Sequence, residues 1–481
     1  MASRHLTSIP LILLVAAAVL QGCGTVSKRY VLVEESLRAG DTTRADLIIE
    51  QAEQEYDSNS RVLYQLDRGM TLHVSGRYEE SNAILEQAEQ SVEELYTRRL
   101  RTEAKALLVN DTKLPYAGAP YEQVMMNVLK AINYALLEDW DESLVEARRI
   151  DHRLNVLSDS VEDSEAYRDD AFARYLTGVL YEADGDLNNA FIAYRKAYDL
   201  YRETRGWSRT PIPPMLHADL LRITEGLHLN EEHEQYRRAF PDVSWLPMAE
   251  ARRLAQIVVI SYNGRAPHKE DQFIDLPISL DALKLVLLTK GAVSSNSRQG
   301  RAAESLLYGL SGRVVRVALP RLVRQKTQVA YGQVSLEGNG TSASARTELV
   351  QDLTTIAAKN LSDRYPSLAI KAVARAALKF GLAEGVGRGA EAAAGKDAGP
   401  TVGLVAGILA KIFAIATEES DKRSWRTLPD EVQIARLWVP AGTYELRVRA
   451  LTHGGKAVGE ESVRTVTLRS GATKFFTERV L

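Results

Sequence analysis

The chain has 481 residues, 45% hydrophobic and 26% charged, which is ordinary globular material and enough for two or three domains. A single cysteine excludes a disulfide scaffold, and eight scattered histidines without a His-Glu-x-x-His run exclude the commonest zinc-enzyme pattern. The net charge of −3 conceals a split, with residues 23–250 carrying −16 and residues 251–481 carrying +12, so a boundary is expected near residue 250. The basic half suits an anionic partner such as lipid headgroups or polymer, or is simply a mildly basic domain beside acidic helix faces.

The first element is a leader. Arg4 and His5 precede the apolar run Leu11 to Leu20, which is too short for a permanent membrane span. Leu20-Gln21-Gly22-Cys23 then closely resembles the signal of a bacterial lipoprotein. That resemblance implies a signal peptide over 1–22, cleavage before Cys23 and acylation of its thiol. Lipid would then hold a soluble polypeptide on a membrane. The plainer alternative is a cleaved signal and an ordinary thiol. Gly24 follows the cysteine where Asp would favour retention in the inner membrane, so the resemblance implies the outer membrane and its periplasmic face.

Residues 23–250 read as a helical repeat domain. Gly178, Tyr181, Gly185, Ala190, Tyr194 and Ala197 fall at the spacings of a tetratricopeptide repeat, which they strongly resemble. Small residues at 178 and 190 let two helices cross closely, while the tyrosines fill the space between them. Gly69, Leu72, Gly76, Tyr78, Ser81, Leu85 and Ala88 repeat the frame over 62–90. It fits 124–150 less well, through Ala131, Tyr134, Trp140, Ser143 and Ala147. Gly40, Asp41, Ala45, Ile49 and Ala52 suggest half of another unit, and 215–240 a divergent closing pair. A fragment of residues 24–250 is expected to fold alone.

In such arrays the first helices line a groove. Here its wall consists of Leu63, Leu66, Met70 and His73, then Met125, Val128 and Ile132, then Phe172, Tyr175, Val179 and Glu182. This wall is too apolar for a carboxylate clamp. It is either a candidate protein-binding surface or is filled by the protein's own chain.

Residues 251–481 read as a mixed α/β domain. Leu254 to Ile260, ending at Asn263-Gly264, has β texture, as do Val314 to Leu319 and Val329 to Leu336. From Ser344 to Phe380 the spacing is helical, which places a helical, glycine-spaced insert over 343–417. Gly381, Gly385 and Gly389 are four apart, and Gly399, Gly403 and Gly407 form a second such row. Glycines stacked on one helix face allow close backbone approach. A buried hairpin, an oligomer interface and membrane insertion all fit that pattern. Val432 to Val439, the turn Pro440-Ala441-Gly442-Thr443-Tyr444, the alternation through Val448, and the runs Val463 to Leu468 and Lys474 to Val480 suggest a β module over 431–481.

The expected fold class is thus mostly α with a C-terminal α+β part: a tetratricopeptide-like α-solenoid, then a small β-sandwich-like domain carrying the helical insert. The tail Asp421 to Pro429, followed by Ala435 to Tyr444, resembles a family of uncharacterised proteobacterial outer-membrane lipoproteins with the same layout. Genes of that family often neighbour genes for small lipoproteins resembling activators of penicillin-binding proteins. The resemblance implies an envelope role, with a link to cell-wall synthesis as one setting among those open, fixes no activity, and carries over no functional residue beyond Cys23.

No catalytic set emerges. His228 and His233 are five apart, wrong for two ligands on one helix face, and Gly389 to Lys396 departs from a phosphate loop in spacing. The sequence points to no metal, no cofactor and no nucleic acid. The expectation is a non-enzymatic scaffold or adaptor, anchored by lipid to the outer membrane, binding envelope proteins through its groove. The alternative is a structural subunit of a multimeric envelope or secretion machine, a homo-oligomer joined through the glycine-spaced helices.

Overall fold

Five antiparallel helix pairs succeed one another among the described residues. They are α1 (Thr25–Arg38) with α2 (Thr42–Gln51), α3 (Arg61–Val74) with α4 (Tyr78–Arg99), and α5 (Pro120–Leu136) with α6 (Trp140–Asp159). Then come α7 (Ala171–Asp184) with α8 (Leu187–Glu203), and α9 (Pro214–Gly226) with α10 (Asn230–Ala239). A single turn, α11 (Met248–Ala251), precedes the first strand. The computed structural model describes residues 25–99, 111–159, 170–208, 210–277, 314–338, 340–372 and 419–481.

Local sequence explains the pairs. Asp41, Asp170 and Asp186 cap α2, α7 and α8 by accepting from backbone N–H groups three residues on. Each turn inside a pair needs one residue in the left-handed region. Gly40, Gly76 and Gly185 supply it at φ +70°, +79° and +92°. Glu138 (φ 60°) and His228 (φ 56°) adopt it without glycine. These two turns lie in the units whose repeat signal is weakest, 124–150 and 215–240, so the geometry is retained where its usual residue is not. The helix crossings are equally explicit. The Ser81 hydroxyl donates to the Gly69 carbonyl at 2.7 Å, and Ser143 donates to Ala131 at 3.0 Å across the equivalent crossing.

A side chain at the glycine crossings has no room. A Cβ on Gly178 would lie 2.4 Å from the Tyr194 ring, and one on Gly69 would lie 2.4 Å from Leu85. Gly178→Leu is expected to destabilise by about 1–3 kcal/mol or more through overpacking. Gly185→Ala, in open space but at positive φ, should lose about 1 kcal/mol. Urea denaturation of both variants checks the order; equal stability of Gly178→Leu and wild type would remove the close crossing.

The second half builds ten strands among the described residues, in three sheets. They are β1 (Ala255–Asn263), β2 (His268–Pro277), β3 (Val314–Val323), β4 (Tyr331–Gly338) and β5 (Thr341–Arg346). The others are β6 (Glu348–Asp352), β7 (Glu431–Val439), β8 (Gly442–Leu451), β9 (Ser462–Leu468) and β10 (Thr473–Val480). One sheet has the order β10-β1-β7-β6, with β1 parallel to β10 and antiparallel to β7. A second has the order β5-β4-β8-β9, and β2 pairs with β3 alone. Ile257, Val259, Leu437 and Val439 of the first sheet pack on Val334, Leu336, Leu446 and Val448 of the second, so the two four-stranded sheets form a sandwich. The Tyr444 hydroxyl donates to the Pro440 carbonyl at 2.9 Å, tying down the corner where the chain passes between sheets.

Two expectations are corrected. The sandwich is not confined to 431–481, because β1 and β4 to β6 contribute half of its strands. The helical stretch does not begin at 343: residues 341–346 and 348–352 are strands, and the helix runs over 353–372 with Asp352 accepting from Thr355 N at its start. Ala, Arg, Glu and Leu in that stretch favour helix locally. Pairing of β5 with β4 and of β6 with β7 overrides the preference.

Candidate functional site, a groove filled by the chain's own sheet

The expected groove residues sit where the repeat frame puts them, but they do not face solvent. Leu63, Leu66, Met70, Met125, Val128, Ile132, Phe172, Tyr175 and Val179 are all buried, as is His73. They share one continuous apolar core with Val258, Ile260, Tyr262, Val432, Ile434 and Phe475 of the sandwich. Of the two alternatives left by the sequence, the structure has the second: the chain fills its own groove. The candidate binding surface at these positions is therefore corrected to an internal interface. This also explains why β1 is buried at every position, since alternate residues serve the sandwich and the helices. An isolated 24–250 fragment would expose this wall, so its independence does not follow from the architecture.

Among the described residues polar groups fix the docking at several places, three of which surround the groove wall. At the first, Arg436 on β7 enters the array and donates to Asp219 at 2.6 Å and to Glu182 at 2.7 Å. Arg222 donates to the same two carboxylates, reaching Glu182 at 2.7 Å. Tyr194 donates to Glu182 at 2.6 Å and Tyr175 to Asp219 at 2.9 Å. Trp438 lies under both guanidiniums, 5.0 Å from Arg436 and 4.7 Å from Arg222. Two acids balance two cations, with the hydroxyls completing their shells. Burial alone would raise the Glu182 carboxyl, but Arg222 and Arg436 hold it well below the usual carboxylate range.

At the second, burial pushes the His73 imidazole down to about 4, against the opposing hydrogen bond to Asn133. The ring is neutral at pH 7. Its Nδ1 lies 2.5 Å from Asn133 Oδ1 and its Nε2 lies 3.1 Å from the Tyr262 hydroxyl. An Nδ1–H tautomer fits both, donating to the amide oxygen and accepting from the tyrosine. His73 thus positions β1 on the array.

At the third, the segment Ser420 to Asp430 threads between α3 and α5. Trp425, 1% exposed, donates its backbone N–H to Glu122 at 2.8 Å and its indole N–H to Thr427 at 2.9 Å. Thr427 in turn donates to Asp67 at 3.0 Å. Arg426 stacks over Tyr30 and Arg423 over Tyr116. The stretch Asp421 to Pro429 is thus a groove occupant held like a bound peptide.

Asp67 also accepts from Tyr30 at 2.6 Å and Tyr56 at 2.9 Å. Burial nevertheless raises its carboxyl to about 6, outweighing those hydrogen bonds and the Arg29 charge. A folded pKa above the unfolded value of 3.8 means that the contribution is full below pH 3.8 and is lost as pH rises through 6. Relative to Asp67→Asn, wild type should therefore lose about 3 kcal/mol across that window. Paired urea titrations at pH 4 and pH 7 test this; a pH-independent difference would contradict it.

The sequence missed Arg436, Arg222, Asp219, Glu122, Asp67 and Trp425 as interface residues, since acids on helices ordinarily mark solvated faces. The available signal was charge inside apolar stripes: Asp67 beside Leu66 and Met70, and Asp219 beside Leu216 and Leu220. Cys23 and the glycines at 381, 385, 389, 399, 403 and 407 lie outside the described residues. Among the described residues no group of His, Cys, Asp and Glu could hold a metal, and no helix is long and apolar enough to cross a membrane.

These elements define a class: a tetratricopeptide-like helical array joined to a β region that closes it. No protein-family model and no curated protein matches the chain. Among solved structures, MamA from Desulfovibrio magneticus RS-1 is similar at 15% identity and a TM-score of 0.28, over 45% of this chain and 92% of that one. BtubC from P. vanneervenii is similar at 14% identity and a TM-score of 0.33, over 49% and 88%. The Rap conjugation gene regulator of plasmid pLS20, solved with the Phr* peptide, shows 14% identity and a TM-score of 0.26, over 44% and 53%. Scores this low carry no inference for this chain.

Proposed function

We propose that this protein is a non-enzymatic scaffold of the bacterial envelope, held by lipid on Cys23 at the periplasmic face of the outer membrane. Its repeat array serves as the socket for its own C-terminal domain. The observation that carries this reading is the filled groove. An array whose wall is covered by β1, β7 and the Trp425 segment has no groove left to offer, so partners would meet its outer faces and the sandwich. The buried groups act in docking: His73, Glu182, Asp219 and Asp67 are each engaged by neighbouring side chains. The −16 and +12 halves also find a use here, because Arg436 meets Glu182 and Asp219, and Arg265 meets Glu34, across the contact between them.

The experiment joins two readouts. Labelling with a palmitate analogue should mark wild type and spare Cys23→Ala. Crosslinking in intact envelopes, followed by affinity purification and mass spectrometry, should give heterologous crosslinks on outer faces and none on Met125, Val128 or Val179. Equal labelling of both proteins would remove the anchor. Crosslinks only between copies of this chain would replace the adaptor by a self-assembling subunit.

A further inference from the structure

Helix α1 has one face unexplained by packing. Its inner side is fixed to the body. Arg29 stacks on Tyr56 at 4.0 Å, Tyr30 donates to Asp67, and Glu34 pairs with Arg265. Val33 and Leu37 pack with Ala45 and Ile49. The outer side presents Lys28, Val31, Leu32, Glu35 and Arg38 at helical spacing, with Val31 48% and Leu32 46% exposed. Among the described residues the three charged side chains of that stripe make no ion pair.

The position of Cys23 says what would cover this face. One residue, Gly24, separates it from Thr25, the first residue of α1, and these two Cα–Cα steps reach about 7 Å at full extension. From Thr25 to Val31 and Leu32 the helix rises about 10 Å. An acyl group on Cys23 therefore brings the exposed pair within about 17 Å of its entry point into the bilayer, whatever conformation Gly24 takes. The headgroup layer of one leaflet is itself about 5–7 Å thick. A tether this short keeps the N-terminal end of α1 at the membrane surface.

We propose that the outer face of α1 rests on the lipid surface, with Val31 and Leu32 in the headgroup layer and Lys28 and Arg38 among anionic headgroups, so that the anchor fixes the orientation of the whole array. This rests on acylation of Cys23. The lone native cysteine is then blocked, and an introduced one is the only free thiol. The full mature lipidated chain, carrying Val31→Cys, Leu32→Cys or Ile192→Cys, is labelled with an environment-sensitive fluorophore. It is then reconstituted into phosphatidylethanolamine–phosphatidylglycerol vesicles containing spin-labelled lipid. Ile192 is 42% exposed on α8 and serves as the distant reference. Quenching several-fold stronger at 31 and 32 than at 192 is expected. Vesicle flotation with equal quenching at all three sites would overturn the resting face and leave the anchor intact. Failure to float would overturn the anchor, and the resting face with it.

Discussion

Replacing Arg436 by Ala should loosen the sandwich from the array and lower stability by about 3–5 kcal/mol, the range for removing one partner of a buried ion pair. Glu182 and Asp219 each accept from this guanidinium, and its side chain is only 1% exposed. Without it, one cation is left for two buried carboxylates, and Arg222 cannot replace a donor that arrives from the opposite side. Arg436→Lys should recover little. An ammonium offers one compact centre where the planar fork reaches two acids and lies over Trp438. Guanidinium denaturation provides the measurement, together with protease accessibility of the β6 to β7 region. A loss below 1 kcal/mol would show that the network is dispensable and that the apolar contacts alone hold the domains.

Trp425→Ala should be of similar size, about 3–5 kcal/mol for a fully buried indole. Its consequences are more local. The indole fills the space between α3 and α5, and its N–H orients Thr427, which donates to Asp67. With the ring gone, the segment from Ser420 to Asp430 loses its wedge and Asp67 loses an ordered donor. Arg423 and Arg426 then become accessible, so trypsin in native buffer should cut the variant after Arg423 or Arg426 and spare wild type. Protection of both sites in the variant would mean that the Glu122 and Asn59 hydrogen bonds hold the segment without the indole. A fall in stability without cleavage would locate the damage in the general core.

Much of the array was legible in the sequence, because its constraints are local. Gly69 and Gly178 are small because Leu85 and Tyr194 stand against them, and that requirement recurs at a fixed spacing. Strands β1, β3, β4 and β7 to β10 were legible for a related reason: branched and aromatic runs bounded by turn residues need no knowledge of a partner. The polar strand β2 and the helix-favouring β5 and β6 were not, since only pairing with β3, β4 and β7 makes them strands.

What the sequence determined by itself is the kind of element most segments become, with β2, β5 and β6 the exceptions, and the presence of an apolar wall on the first helices. Tertiary structure alone decided what covers that wall. Apolar side chains carry no record of their partner, because burial is non-directional and any complementary surface satisfies it. The pairing of Arg436 with Glu182 and Asp219 joins positions more than two hundred residues apart, and no spacing rule connects them. Their desolvation requires each other, so acids that look solvated in the sequence become the fixed points of the docked domain.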